Sequence, residues 1–191
     1  MEAYQDNNGP LTVPQIQVVV DSIVAYKAIV AAVGTPNSIT IDTLNKATGS
    51  SYALVENENV YRQAIEDGSG WLFGEITEVQ DIIDMIRVEN AVLLLTDNSL
   101  TTSNASAPSP VVNTPTDSEG VVYIFSGFTY SGGANATISN DNKSVNISRS
   151  VTPGSVDLSL SVEADSGFYW HGVDYRINVP ETGPIAMSIN N

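Results

Sequence analysis

The sequence predicts an α+β protein with a helical N-terminal region, an extended linker and a small antiparallel β-sandwich or jelly-roll-like C-terminal domain. Three observations carry this. Apolar residues recur at helical spacing as far as residue 95, Pro, Ser and Thr crowd residues 97–119, and from Gly120 onward apolar and polar residues alternate. These shifts place a helical anchoring and oligomerisation domain at 1–96, a Pro/Ser/Thr linker or arm at 97–119 and a β-sandwich domain at 120–191.

The first predicted helix covers residues 13–33. Thr12 with Gln15 three residues on forms a capping box, and Pro14 lies in the first turn, where its missing N–H costs nothing. Gly34 and Pro36 end the helix. Ile16, Val19, Val20, Ile23, Ile29, Val30 and Val33 leave little polar face, so the helix should be wrapped on most sides by its own domain or by neighbours. Asp21 and Lys27 interrupt the run, which favours a buried helix over a membrane span. Residues 38–49 suit either a short strand or a helix. Residues 55–67, closed by Gly68 and Gly70, predict a second helix, and Trp71 with Phe73 reads as an anchor of the local core.

Residues 75–95 carry a 3-4 spacing of Ile76, Val79, Ile83, Ile86 and Leu93, with Asn90 at the remaining seam position. Isoleucine at both a and d positions favours three strands, and one polar Asn can fix register, so these six residues form a candidate oligomer seam. Ile82, Met85, Val92, Leu94 and Leu95 widen the apolar face, and an ordinary core helix is the plainer alternative. The following segment has Pro108, Pro110 and Pro115 among small polar residues and no regular period. Extended, it would reach about 60 Å. Beyond it, strands are expected at 121–130, 134–139, 143–151, 156–162, 168–179 and 185–189, with turns at Asn140-Asp141-Asn142, Pro153-Gly154 and Asp165-Ser166-Gly167. Two units this small should gain stability from a partner or from oligomerisation.

Seven Lys plus Arg face 22 Asp plus Glu in 191 residues, a net charge of −15. Four bases oppose fourteen acids in the first 100 residues and three oppose eight in the rest. Scattered bases in an acidic chain argue against nucleic acid and anionic membrane as partners. A break between two short helices near residues 41–55 is faintly like a helix-turn-helix, but Glu56 and Glu58 stand where phosphates would lie. Without Cys there is no disulfide framework or thiolate chemistry. Residues 1–11 have no basic region before an apolar run, so the chain is expected to be made in a cytoplasm without export. The four Asn-x-Ser/Thr sequons at Asn104, Asn135, Asn142 and Asn146 are then chance.

Catalytic sets are sparse. His171, the single histidine, has no second His or Cys to complete a zinc site, and no Gly-x-Ser-x-Gly elbow occurs. The carboxylate pairs Glu66/Asp67 and Asp81/Asp84 could in principle cleave a glycoside, but they fall on the polar faces of predicted helices, where solvation is the simpler account. No catalytic residue, cofactor or metal is expected. Binding by shape is better supported, because Phe168, Tyr169 and Trp170 cannot all face one way in a strand. At least one should reach a surface and stack on a sugar or pack on a protein.

Helical front, Pro/Ser/Thr arm and terminal β-domain together resemble the layout of accessory proteins of tailed-bacteriophage particles, namely head fibres, capsid decoration proteins and tail attachments. The resemblance spans the whole chain and brings no motif residues with it. It implies a non-enzymatic virion protein, assembled in the host bacterial cytoplasm, that anchors by its front to a capsid or tail lattice. It further implies other virion structural proteins as partners, a homo-oligomer with a trimer favoured, and a projecting β-domain that could meet a host-surface glycan. A cell-surface adhesin or carbohydrate-binding module is the alternative, and a carboxylate glycosidase the third reading.

Overall fold

The computed structural model describes residues 10–51, 53–68, 79–118, 120–167 and 169–190. Helices come first and two antiparallel sheets of four strands follow, an α+β layout. The chain forms two compact units, Met1–Ile86 and Arg87–Asn191. The boundary thus falls inside the fourth helix, ten residues before the compositional break at residue 97.

In the first unit, α1 (Val13–Ala31) begins with the expected capping box: Gln15 Oε1 accepts from Thr12 N at 2.9 Å. Its termination shortly before Gly34 agrees with that residue's left-handed φ of +87°. Residues 41–48 resolve into a helix, α2 (Ile41–Thr48). Thr40 Oγ1 caps it by accepting from Thr43 N, and Gly49 closes it in the left-handed conformation. Ser22 Oγ of α1 donates to Ala47 O of α2 at 2.9 Å. After α2, Asn45 clamps the returning chain in both directions, donating to Ala53 O and accepting from Ala53 N. Next comes α3 (Glu58–Gly68), which buries Tyr61 and Ile65 completely. Arg62 is used internally: it pairs with Glu58 at 3.0 Å and donates to Ile39 O.

Of the two covers expected for α1, its own domain or neighbours, its own domain supplies little. Only Ala25 and Ile29 of this helix are buried. Val13, Ile16, Val18, Val20, Ile23, Val24 and Val30 stay between 37% and 80% exposed. Helix α2 has only eight residues, enough to shelter one stripe of a helix more than twice its length.

Helix α4 (Val79–Leu93) enters the second unit at Arg87. Val88, Ala91, Val92 and Leu95 join the sandwich core there. The strands follow as β1 (Thr101–Ser103), β2 (Val111–Asn113), β3 (Val121–Gly132), β4 (Asn135–Ile138), β5 (Ser144–Ser148), β6 (Gly154–Ala164), β7 (Trp170–Val179) and β8 (Ala186–Asn190). One sheet has the order β1-β2-β5-β4, the other β3-β6-β7-β8. Inward residues alternate as expected, with Val156, Leu158, Leu160 and Val162 of β6 facing Val145 and Ile147 of β5 across a shared core.

The segment read as a linker contributes strands β1 and β2. Val111–Asn113 pairs with β5, and Thr101–Ser103 pairs in turn with β2. Prolines here do not prevent docking, because proline lacks only the donor. Pro110 O accepts from Ile147 N at 2.9 Å and Pro108 O from Arg149 N at 3.2 Å. Arg149 also donates to Ala105 O and to Pro180 O. At the segment's end Asp117 pairs with Lys143 at 2.7 Å, and Lys143 Nζ donates to Tyr123 O as well.

Two crossings between the sheets, β3 to β4 and β5 to β6, lie backbone against backbone. Gly132 (φ +66°) would place a Cβ 2.5 Å from Pro153 O, and a Cβ on Gly133 would collide with Thr152 O. Gly133→Ala should therefore destabilise the protein by about 1–3 kcal/mol. Gly127→Ala, at the β3 bulge with open space around it, should be near neutral. Thermal melts of the two variants check the contrast, and equal melting temperatures would contradict the packing described.

Candidate functional site

The alternation of β7 sends neighbouring side chains to opposite sides, and this separates the predicted aromatic group. Tyr169 and His171 turn toward α4, while Trp170 faces outward and is 61% exposed. Phe168 lies outside the described residues. So do Ile76 of the predicted seam and the anchors Trp71 and Phe73.

On the inner side, Tyr169 Oη and His171 Nδ1 both engage Glu89 Oε1 of α4, the histidine at 2.9 Å. Glu89 is buried and His171 is partly open to solvent. Burial pushes the Glu89 carboxyl up, but the hydrogen bonds from His171 and Tyr169 outweigh it, and the group titrates below its ordinary value. The same hydrogen bond to Glu89 raises His171, against a smaller opposing effect of burial. Burial, reinforced by the adjacent carboxylate, drives Tyr169 far above the ordinary phenol range. The result is a carboxylate held ionised beneath two donors.

Beside this cluster a cleft of about 400 Å³ opens, with Val92, Leu95, Val173 and Ile189 as its apolar walls and His171 and Asn190 among its polar residues. Nearby, the outer face of β6 and β7 carries a ladder of small polar groups. Ser159 Oγ donates to Asp174 at 2.8 Å, Ser161 Oγ to Glu163 at 2.7 Å, and Arg176 reaches Ser155 at 3.1 Å. Trp170 pairs across the strands with Glu163, and its ring edge lies beside Gly172, at ordinary contact distance from where a Cβ would stand. Ser155 and Ser161 of this face are themselves buried, while Trp170 and Asp174 are exposed and Glu163 is half-buried, so an indole flanked by carboxylates is what a sugar could stack on and bond to there.

The seam predicted on α4 is divided. Ile86 is fully buried within the single chain, Val79, Ile83 and Asn90 are intermediate, and Leu93 is exposed. Ile82, Met85 and Val88 are buried too, so burial runs around most of the helix rather than leaving one open stripe. The carboxylate pairs are engaged. Asp84, expected on a solvated face, is wholly buried and accepts from Gln80 at 2.7 Å. Glu66 accepts from Gly34 N and Asp67 from Gln63. Among the described residues no group of three or more His, Asp and Glu side chains could hold a metal ion.

Sequence reading missed the Glu89 cluster because its members lie 80 and 82 residues apart. The only signal was an acidic residue within the apolar run of α4. Compared with protein-family models, curated proteins and solved structures, the chain finds no match.

The sign of the pH effect follows from the two shifts. Glu89, lowered on folding, stabilises the fold above its ordinary value of 4.5, and that contribution is lost as pH falls through the folded value. His171, raised on folding, stabilises below its ordinary 6.5, and its contribution is lost as pH rises through the folded value. The stability gap between the wild type and Glu89→Gln should thus be widest between pH 4.5 and 6.5, on the order of 1–3 kcal/mol there. It should narrow on both sides, and His171→Gln should remove the alkaline narrowing alone. Denaturant titrations across this range measure the gap, and a pH-independent one would exclude the linkage.

Proposed function

We propose that this chain is a non-enzymatic structural component of a larger particle, of the accessory phage type that its layout resembles. The helical half anchors it and the sandwich displays a surface. One observation carries the reading: a 19-residue helix keeps most of its apolar side chains open, with only Ala25 and Ile29 buried. Such a face is costly to leave in water and marks a place where other protein packs. The acid groups support the non-enzymatic part, since Glu89 and Glu66 tie separate segments together and Asp84 and Asp67 each accept from a glutamine one turn back on their own helix. A glycosidase would need two of them facing across one cleft.

A second reading, a glycan-binding module, has its own support in the exposed Trp170 with the carboxylates of Glu163 and Asp174 on the same face of β6 and β7. It is compatible with the first, because a projecting domain of a particle can carry a sugar site.

An antibody against the chain should label virus particles purified by density gradient from cultures that make the protein, and the label should survive a high-salt wash. Recovery of the chain solely as free protein would refute the assembly reading. On a panel of immobilised bacterial glycans, Trp170→Ala should weaken whatever binding the wild type shows by about tenfold or more, with the fold intact by circular dichroism. Unchanged binding by this variant would remove the sugar site from the β6–β7 face.

A further inference from the structure

The open face of α1 has an internal order that names its occupant. Val13, Ile16, Val20, Ile23, Lys27 and Val30 follow a strict 3-4 spacing for about two and a half heptads. In that register the a positions are Val13, Val20 and Lys27, and the d positions are Ile16, Ile23 and Val30. The groups that meet α2 or are buried, Ser22, Ala25 and Ile29, fall at c and f, on the opposite side. One helix therefore has two separate apolar stripes, and its own unit uses only one.

We infer that the second stripe is a coiled-coil seam by which α1 packs against α1 of other copies of this chain, three in parallel. The inference rests on the assembly reading above and supplies the partner for its open helix. Every apolar a and d residue is β-branched. Two-stranded parallel pairs prefer leucine at d, whereas β-branched residues at both positions shift packing to three strands. The flanking positions raise no barrier: Gln17, Val24 and Ala31 occupy e, and Val19 and Tyr26 occupy g, none of them charged.

The area is sufficient. With side chains 37–80% exposed, the stripe offers on the order of 500 Å² of apolar surface per chain. That lies within the roughly 300–600 Å² of the largest patch on a typical monomer, a size that is often functional, and shared among three copies it passes the roughly 1,000 Å² that a specific interface needs. Lys27, the one charge on the stripe, sits at a single a position, where a polar residue selects register at some expense of affinity. Its stem can lie along the neighbouring helix while its ammonium reaches water.

By length and composition α1 would also fit a membrane span. Against that, Asp21 and Lys27 interrupt its middle and its c/f side is held to α2 through Ser22. A span would have to give up those contacts and bury both charges in hydrocarbon.

The full-length chain should sediment as a species of three times 20.3 kDa, with the trimer strengthened by added salt because the chains each carry −15. Ile16→Lys and Ile23→Lys should each weaken association on the order of a hundredfold or more and give a 20.3 kDa monomer that keeps its helical circular dichroism. Val18→Lys, exposed at an f position, should leave the trimer unchanged. Lys27→Ile should tighten association about tenfold.

A wild type that stays monomeric, or a trimer insensitive to Ile16→Lys and Ile23→Lys yet broken by Leu93→Lys on α4, overturns the seam. So does flotation of the wild type with phosphatidylcholine vesicles in place of self-association. Labelling of purified particles remains a separate measurement. A labelled but monomeric protein sinks the seam alone, and a trimer found only outside particles sinks the assembly reading while leaving the seam standing.

Discussion

The second unit depends on the pairing of β2 with β5. Without residues 101–113 the first sheet would have only β5 and β4, a two-stranded ribbon too narrow to cover its partner sheet. The register Val111↔Asn146, Val112↔Val145 and Asn113↔Ser144 sends Val112 into the core beside Val145 and Ile147. The flanking bonds from Ile147 N and Arg149 N to proline carbonyls extend the same contact past the strand's three residues. Closure of the core thus follows from a segment that composition alone would discard.

Legibility in the sequence tracked how local the physics was. Helix α1 could be read nearly to its ends, because the capping box of Thr12 and Gln15 and the glycine at position 34 act within a few residues. The long strands β6 and β7 were equally plain, since a period-two pattern over ten residues records a face of the sheet directly. Strands β1 and β2 left no such trace, being three residues each, set among prolines and held by bonds that spare the proline nitrogen. The Glu89 cluster was also invisible, because it depends on where α4 meets β7. Trp170 was half legible: alternation required one aromatic to face out and could not choose which.

Burial was the least legible property. Helix α1 is apolar nearly all round, the usual mark of a core element, and yet its unit covers one narrow side. Helix α4 offered both a candidate oligomer seam and the plainer reading of a core helix, and it is largely consumed within the chain, with Ile86 enclosed and Asp84 buried beside it. Apolar content states how much surface a helix must hide. Which neighbour hides it depends on the length and placement of the elements that follow, here an α2 of only eight residues.

The order of strands in the first sheet also sets a timetable for synthesis. Residues 111–113 cannot find their partner until residues 144–148 exist, a delay of roughly thirty residues during which the chain emerges unpaired. Helix α1, by contrast, has its whole local structure within the first fifty residues, including the α2 that binds its inner side. On a ribosome the proposed seam of α1 is therefore complete well before the back can fold. Nascent chains carried side by side on one messenger could meet through their amino-terminal helices while their sandwiches are still being made.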